Sequence, residues 1–174
     1  MELVRFTVDA LAAVPAQLAF DRVVPRDDST LFTGYLVLPA VAGVRGATGP
    51  WNVVGQERTV LLSDGGSFRE RITRYDRPDR PEAEGRFDYA VDRFTGILSL
   101  LVSDAEARWR YRPAPVADGP NGLDFATSGS VIEWSYAYRP LPGRTFLVRR
   151  VIGPIWMRYM HRSIAVCARV AETG

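Results

Sequence analysis

Lysine is absent from this chain of 174 residues: all 22 basic residues are arginines, set against 20 acidic ones for a formal net charge of +2. An excess that small, with the arginines dispersed along the sequence, is not the electrostatic footprint of a nucleic-acid-binding protein. Cysteine occurs once, at Cys167, and histidine once, at His161. Those counts exclude an internal disulfide and any cysteine-based zinc site. No clustered Asp/Glu spacing offers a metal site built from carboxylates, and no cofactor fingerprint is present, because SDGGS at 63–67 joins two strand patterns and opens no helix. Long apolar runs are missing as well. The most apolar tract, Phe146 to Met160, is interrupted by Arg149, Arg150, Gly153, Pro154 and Arg158, so no membrane span is expected. The N-terminal segment carries Glu2 and Arg5 and lacks the continuous apolar core of a signal peptide. The expectation is a soluble, cytoplasmic protein without stable membrane insertion, a monomer or homodimer.

With 47% hydrophobic and 24% charged residues, the chain can bury one good core and is too short for two ordinary domains, so 1–174 is read as a single domain. Glu2 to Val8 alternates imperfectly as a strand. Val14 to Val23 has helical spacing through Leu18, Ala19 and Val23, with Pro15 in the first turn. Asp27, Asp28 and Ser29 offer caps for a second short helix, closed by Leu38-Pro39 and the glycine-rich GVRGATGP. Strands follow. WNVVGQERTVLLSDGGSFRERITRYD, starting at Trp51, predicts a hairpin turning at SDGGS. Phe87, Tyr89 and Val91 share one parity of a further strand. From Ser103 to Arg112, Ala105, Ala107, Trp109 and Tyr111 alternate with charged residues, giving a strand with one wet face. A last strand spans roughly Leu123 to Tyr138.

The C-terminal segment is an amphipathic helix. At about 100° per residue, Arg158, Arg162 and Arg169 gather on one side, while Ile152, Trp156, Met160, Ser163, Cys167 and Val170 gather opposite. Gly153-Pro154 should weaken or kink its start, since proline removes a backbone donor. An antiparallel sheet curved around this helix is the natural way to bury its stripe.

Within the hairpin, Val54, Arg58, Val60 and Leu62 share one parity and Phe68, Glu70 and Ile72 share another, leaving Arg69, Arg71, Thr73 and Tyr75 on the outer face. Arg58 and Glu70 therefore point inward with the apolar side chains. Opposite charges there are costly unless they pair or meet water or ligand, which suggests a cavity with a polar feature.

LPAVAGV ahead of a glycine-rich loop and Trp51, then VGQERTVLLSDGGSFRERITRYD, RFDYAV and RRVIGPIWMRYMHRSIAVCARV, resemble the START-like or SRPBCC superfamily, in its polyketide cyclase/dehydrase and lipid-transport branch. The resemblance spans nearly the whole chain. It implies an α+β helix-grip fold, with a curved antiparallel sheet around a long C-terminal helix, two short helices near the N-terminus and an internal cavity. It also implies a hydrophobic small-molecule ligand, polyketide-like or lipid-like, and either a cyclase, aromatase or dehydratase-type activity or a non-catalytic carrier or sensor role. A third class is an interaction protein whose arginine-rich helix face docks a partner.

Two readings attach to each candidate residue. Arg58 and Glu70 either orient a ligand and act chemically or form a structural ion pair. Of the two, Glu70 is the better base, because a guanidinium does not give up its proton near neutrality. Phe68, Phe87, Tyr89, Trp109, Tyr111, Trp134 and Tyr136, with Ile152, Trp156 and Met160 from the helix, either line a ligand site or fill core. His161 falls beside the arginines, toward the surface. Ser163 and Cys167 let helix and sheet approach, with Cys167 a buried inert thiol.

Overall fold

The computed structural model describes residues 3–25, 28–114 and 129–174. Seven strands form one antiparallel sheet: β1 (Val4–Ala12), β2 (Val41–Arg45), β3 (Glu57–Leu62), β4 (Ser67–Asp76), β5 (Gly85–Asp92), β6 (Val102–Pro113) and β7 (Ser130–Pro140), in the order β1-β7-β6-β5-β4-β3-β2. Two short helices, α1 (Ala16–Val23) and α2 (Asp28–Leu31), follow β1. After β7 come a single turn, α3 (Thr145–Leu147), a wider π-type turn at Val148–Ile152 and the long helix α4 (Gly153–Thr173). This is the helix-grip arrangement expected from the sequence, a curved antiparallel sheet with the long helix across it.

Alternation governs each strand. Phe87, Tyr89 and Val91 on β5, and Ala105, Ala107, Trp109 and Tyr111 on β6, are buried. The opposite parity is charged, and its arginines meet carboxylates across strands: Arg69 with Asp92, Arg112 with Glu133, and Arg139 with Asp104. Such pairs face water and contribute little each. On α4 the buried side is Tyr159, Met160, Ser163, Ile164, Cys167, Ala168 and Ala171, with Trp156 and Val170, and Ile152 just ahead of the helix, partly buried, whereas Arg158, His161, Arg162 and Arg169 are exposed. Burial of each large apolar side chain is worth about 1.5–3 kcal/mol, so this stripe fixes the rotation of the helix on the sheet.

Gly153 and Pro154 act where expected. Pro154 has no N–H and occupies the first turn of α4, and the chain enters through the π-type turn, in which the Gly153 N–H bonds to the Val148 carbonyl. Gly153 lies so close to β1 that a Cβ there would stand 2.9 Å from the Phe6 ring, so the absent side chain lets the helix start seat on the strand.

Several boundaries differ from the sequence expectation. β1 begins at Val4 and continues to Ala12, because pairing with β7 carries it beyond its apolar stretch. Pro15 precedes α1 as its N-cap, and the buried face uses Ala16, Ala19, Phe20 and Val23, with Leu18 largely outside. α2 ends at Leu31, and the LPAVAGV segment forms the edge strand β2 against β3. Val54 sits in the loop before β3, 56% exposed. A bulge between Ile72 and Arg74 shifts the parity of β4, so Tyr75 turns inward against Phe20 and Phe87. The short 3₁₀ helix at Gly96–Leu100 has no expected counterpart. Glu2, the Asp27 cap and the 123–128 stretch lie outside the described residues.

Candidate ligand cavity

β3 and β4 place Arg58 directly opposite Glu70 in the hairpin register. The parity that buries Val60 and Ile72 buries both charges too: Arg58 is 9% exposed and Glu70 4%. They find each other. Arg58 Nε donates to Glu70 Oε2 at 2.8 Å, and Nη2 reaches the same oxygen at 2.7 Å. The guanidinium carbon lies 4.0 Å from the centroid of the Trp51 ring, a cation–π contact that helps a buried arginine shed water. Trp51 itself has φ of 61°, a left-handed backbone that a bulky residue adopts at a cost of order 1–3 kcal/mol. Its buried ring, packed against Phe87 and Tyr89, supplies the compensation.

Glu70 lines a cavity of about 270 Å³ between the sheet, α4 and the segments after α2 and β5. Its inner wall is aromatic. Trp156 meets Trp134, Tyr136 and Tyr138 edge to face, with centroids 6.0, 5.2 and 5.6 Å away, and stacks on Tyr159 at 5.0 Å. Exposed Val37, Asp64, Thr95 and Ile97 also line the cavity and mark its mouth. Burial first, then the neighbouring Tyr138, Tyr89, Glu70 and Tyr159, pushes the Tyr136 hydroxyl well above its ordinary value. Burial and Tyr159 do the same for Tyr138. Both hydroxyls stay protonated near neutrality and can donate hydrogen bonds. The indole N–H groups of Trp134 and Trp156 are buried without a partner among the described residues.

A second, much smaller void of about 20 Å³ is lined only by buried residues, among them Arg58, Trp51, Phe87, Trp109 and Tyr111. Phe32 and Tyr89 border both spaces. The ion pair thus stands in the partition, with its carboxylate toward the open cavity and its guanidinium toward the inner void.

Of the residues singled out from the sequence, Phe68, Glu70, Tyr89, Trp134, Tyr136, Ile152 and Trp156 come together on the cavity. Arg58, Phe87, Trp109 and Tyr111 border the inner void instead. Met160 is fully buried and borders neither space. Its position one turn beyond Trp156 carries it past the cavity into the helix–sheet core. Sequence reasoning missed Tyr138, Tyr159, Phe32 and Phe94, all of which line the cavity. Tyr138 shares the parity of Trp134 and Tyr136, and Tyr159 lies a helical turn from Trp156, so both carried a signal. Phe32 and Phe94 sit in connections, where no periodicity marks a direction.

A family model described as polyketide cyclase / dehydrase and lipid transport matches residues 4–172. No curated protein matches the sequence. Among solved structures, Ara h 8.0201 is similar with a TM-score of 0.63 and 20% identity, over 97% of this chain and 98% of that one. Norcoclaurine synthase from Thalictrum flavum, solved with dopamine and hydroxybenzaldehyde, gives 0.62 and 14% identity over 97% and 86%. XoxI from Bacillus cereus gives 0.59 and 10% over 95% and 94%. At these identities the likeness is one of fold.

Proposed function

Because the chain belongs to the polyketide cyclase / dehydrase and lipid transport family, we propose that it binds a hydrophobic small molecule in the cavity between its sheet and its C-terminal helix. Family and fold support hydrophobic-ligand binding in general. The observation that carries the reading for this chain is the cavity of about 270 Å³, walled by apolar and aromatic side chains and holding one buried charge, Glu70. Concave, mostly apolar spaces with few placed polar groups are where small molecules bind. No described helix is long and apolar enough to cross a membrane, and the described residues contain no cluster of metal-ligating side chains.

Two activities fit such a site. In a cyclase-type reaction the walls would fold a flexible chain into a reactive geometry, an effect that supplies much of a barrier reduction without a strong nucleophile, while Glu70 and the neutral Tyr136 and Tyr138 orient its oxygens. In a carrier the same walls hold the ligand unchanged. The ion pair favours the carrier, because two Arg58 donors already occupy Glu70 Oε2, and proton abstraction at that oxygen would have to displace them. Native mass spectrometry of protein purified from its own host, with identification of what is released, tests the proposal. A stoichiometric apolar molecule recovered intact supports the carrier, and its conversion by added protein supports the enzyme. Protein that is always empty and takes up no apolar probe would overturn ligand binding altogether.

A further inference from the structure

Charge is distributed unevenly about the cavity, and this bears on what it can hold. Although the chain has 22 arginines, no arginine or histidine lines the cavity among the described residues. Its ionisable walls are the tyrosines and two carboxylates, Glu70 inside and Asp64 at the exposed mouth. Arg58 lies on the far side of the partition, against Glu70 and the Trp51 ring, and Arg162 stands outside the mouth, in a groove that shares Val37, Leu38, Pro39 and Asp64 with the cavity.

We infer that the cavity selects an uncharged ligand with a flat skeleton of about two or three rings, and discriminates against fatty acids and other carboxylate-bearing lipids as well as against sterols. The inference rests on the cavity being the ligand site. A ligand carboxylate drawn inside would lose its water and meet no cation on the cavity wall, because the Arg58 guanidinium is already held by Glu70, so desolvation opposes it. A ligand cation fares better with the aromatic walls but meets a carboxylate whose charge Arg58 already neutralises. A neutral molecule avoids both costs.

Size and shape narrow the class further. The space is small, about 270 Å³. That suits a small fused-ring molecule and is too little for a four-ring sterol with its side chain. The volume also falls below the range of about 300–1,000 Å³ that buries drug-sized ligands. Ring faces and edges of Trp134, Tyr136, Tyr138, Trp156 and Tyr159 favour offset or edge-on aromatic contacts. Protonated tyrosine hydroxyls suit carbonyl or phenol oxygens.

Three probes with one skeleton and different charges test this at pH 7: 2-naphthol, 2-naphthoate and 2-naphthylmethylammonium, titrated into the full chain by calorimetry, with cholesterol and palmitate as competitors. The expected result is that 2-naphthol binds, that 2-naphthoate binds at least tenfold more weakly, that the ammonium also binds more weakly than naphthol, and that neither competitor displaces naphthol at comparable concentration. Ile97→Arg, at the exposed mouth, should then improve naphthoate relative to naphthol at least threefold. Equal or tighter binding of naphthoate or of the ammonium, or displacement by cholesterol or palmitate, would overturn the selectivity while leaving ligand binding intact. An unchanged ratio in Ile97→Arg would put the probe outside this cavity and overturn the inference as well. Failure of every probe and competitor to bind would instead remove the proposed function on which it rests.

Discussion

Trp134 lies flat on Trp109, ring centroids 4.8 Å apart and planes 11° from parallel, and the two rings look into different spaces. Trp134 lines the open cavity, whereas Trp109 lines the inner void. They are also directly opposed in the β6–β7 register, so the position of one ring is set by the other.

Trp109→Ala should therefore weaken ligand binding although Trp109 borders no part of the cavity. Removing a buried tryptophan costs about 3–5 kcal/mol, and the space left behind lets Trp134 tilt away from Trp156. Urea denaturation should report the stability loss, and titration with 2-naphthol under folding conditions should report the weaker affinity. Unchanged affinity in a destabilised protein would show that Trp134 holds its place without Trp109.

The Arg58–Glu70 pair gives a second expectation. Glu70→Gln leaves the buried guanidinium without its counter-charge, a class of change that costs about 3–5 kcal/mol. Replacing both residues, Arg58→Met with Glu70→Leu, should recover most of that loss, since apolar pairs of similar volume often match or exceed a buried ion pair. Thermal midpoints of the wild type, the single and the double variant decide it, with probe affinity measured on each. A functional Glu70 requires that the double variant regain stability and lose ligand affinity or turnover. Recovery of stability with affinity intact would leave the pair a purely structural element.

Alkaline pH offers a third test, unusually clean because a chain without lysine has no ammonium side chains to titrate there and its arginines stay charged. Burial raises the hydroxyls of Tyr111, Tyr136 and Tyr138 well above the ordinary 10.0. Their folded values exceed their unfolded ones, so their contribution to stability is complete below pH 10 and declines as pH rises above it. Each contributes about 1.4 kcal/mol per pH unit in that window, and the three together about 4. Cooperative unfolding is expected within a few units above pH 10, with phenolate absorbance at 295 nm and far-UV circular dichroism changing together. Tyr138→Phe should lower the slope by about a third. Phenolate appearing in full while the dichroism stays native would contradict the burial of these rings.

How far the sequence alone reached depends on the kind of element. Strand parity located Arg58 and Glu70 on the inner face because neighbouring apolar residues leave only one direction available, and the same reasoning oriented α4 through Met160, Ser163 and Cys167. Tyr75 escaped it because a single bulge inverts every residue beyond. Phe87, Trp109 and Tyr111 share parity with the cavity residues yet face the inner void. Alternation gives the face of a sheet but not the position along a curved strand at which a cavity begins. Phe32 and Phe94 reach the cavity from connections, where tertiary packing alone sets direction.

The pairing of β1 with β7, Val4 opposite Tyr138, has a consequence for how the protein is made. β1 finds its partner only after β2 to β6 have left the ribosome, and α4, which packs on β1, comes later still. Until β7 arrives, β1 is an unpaired strand that another chain could occupy. Closure of so long a loop belongs to the slow end of folding, and the core is complete only once α4 has followed β7 out of the ribosome.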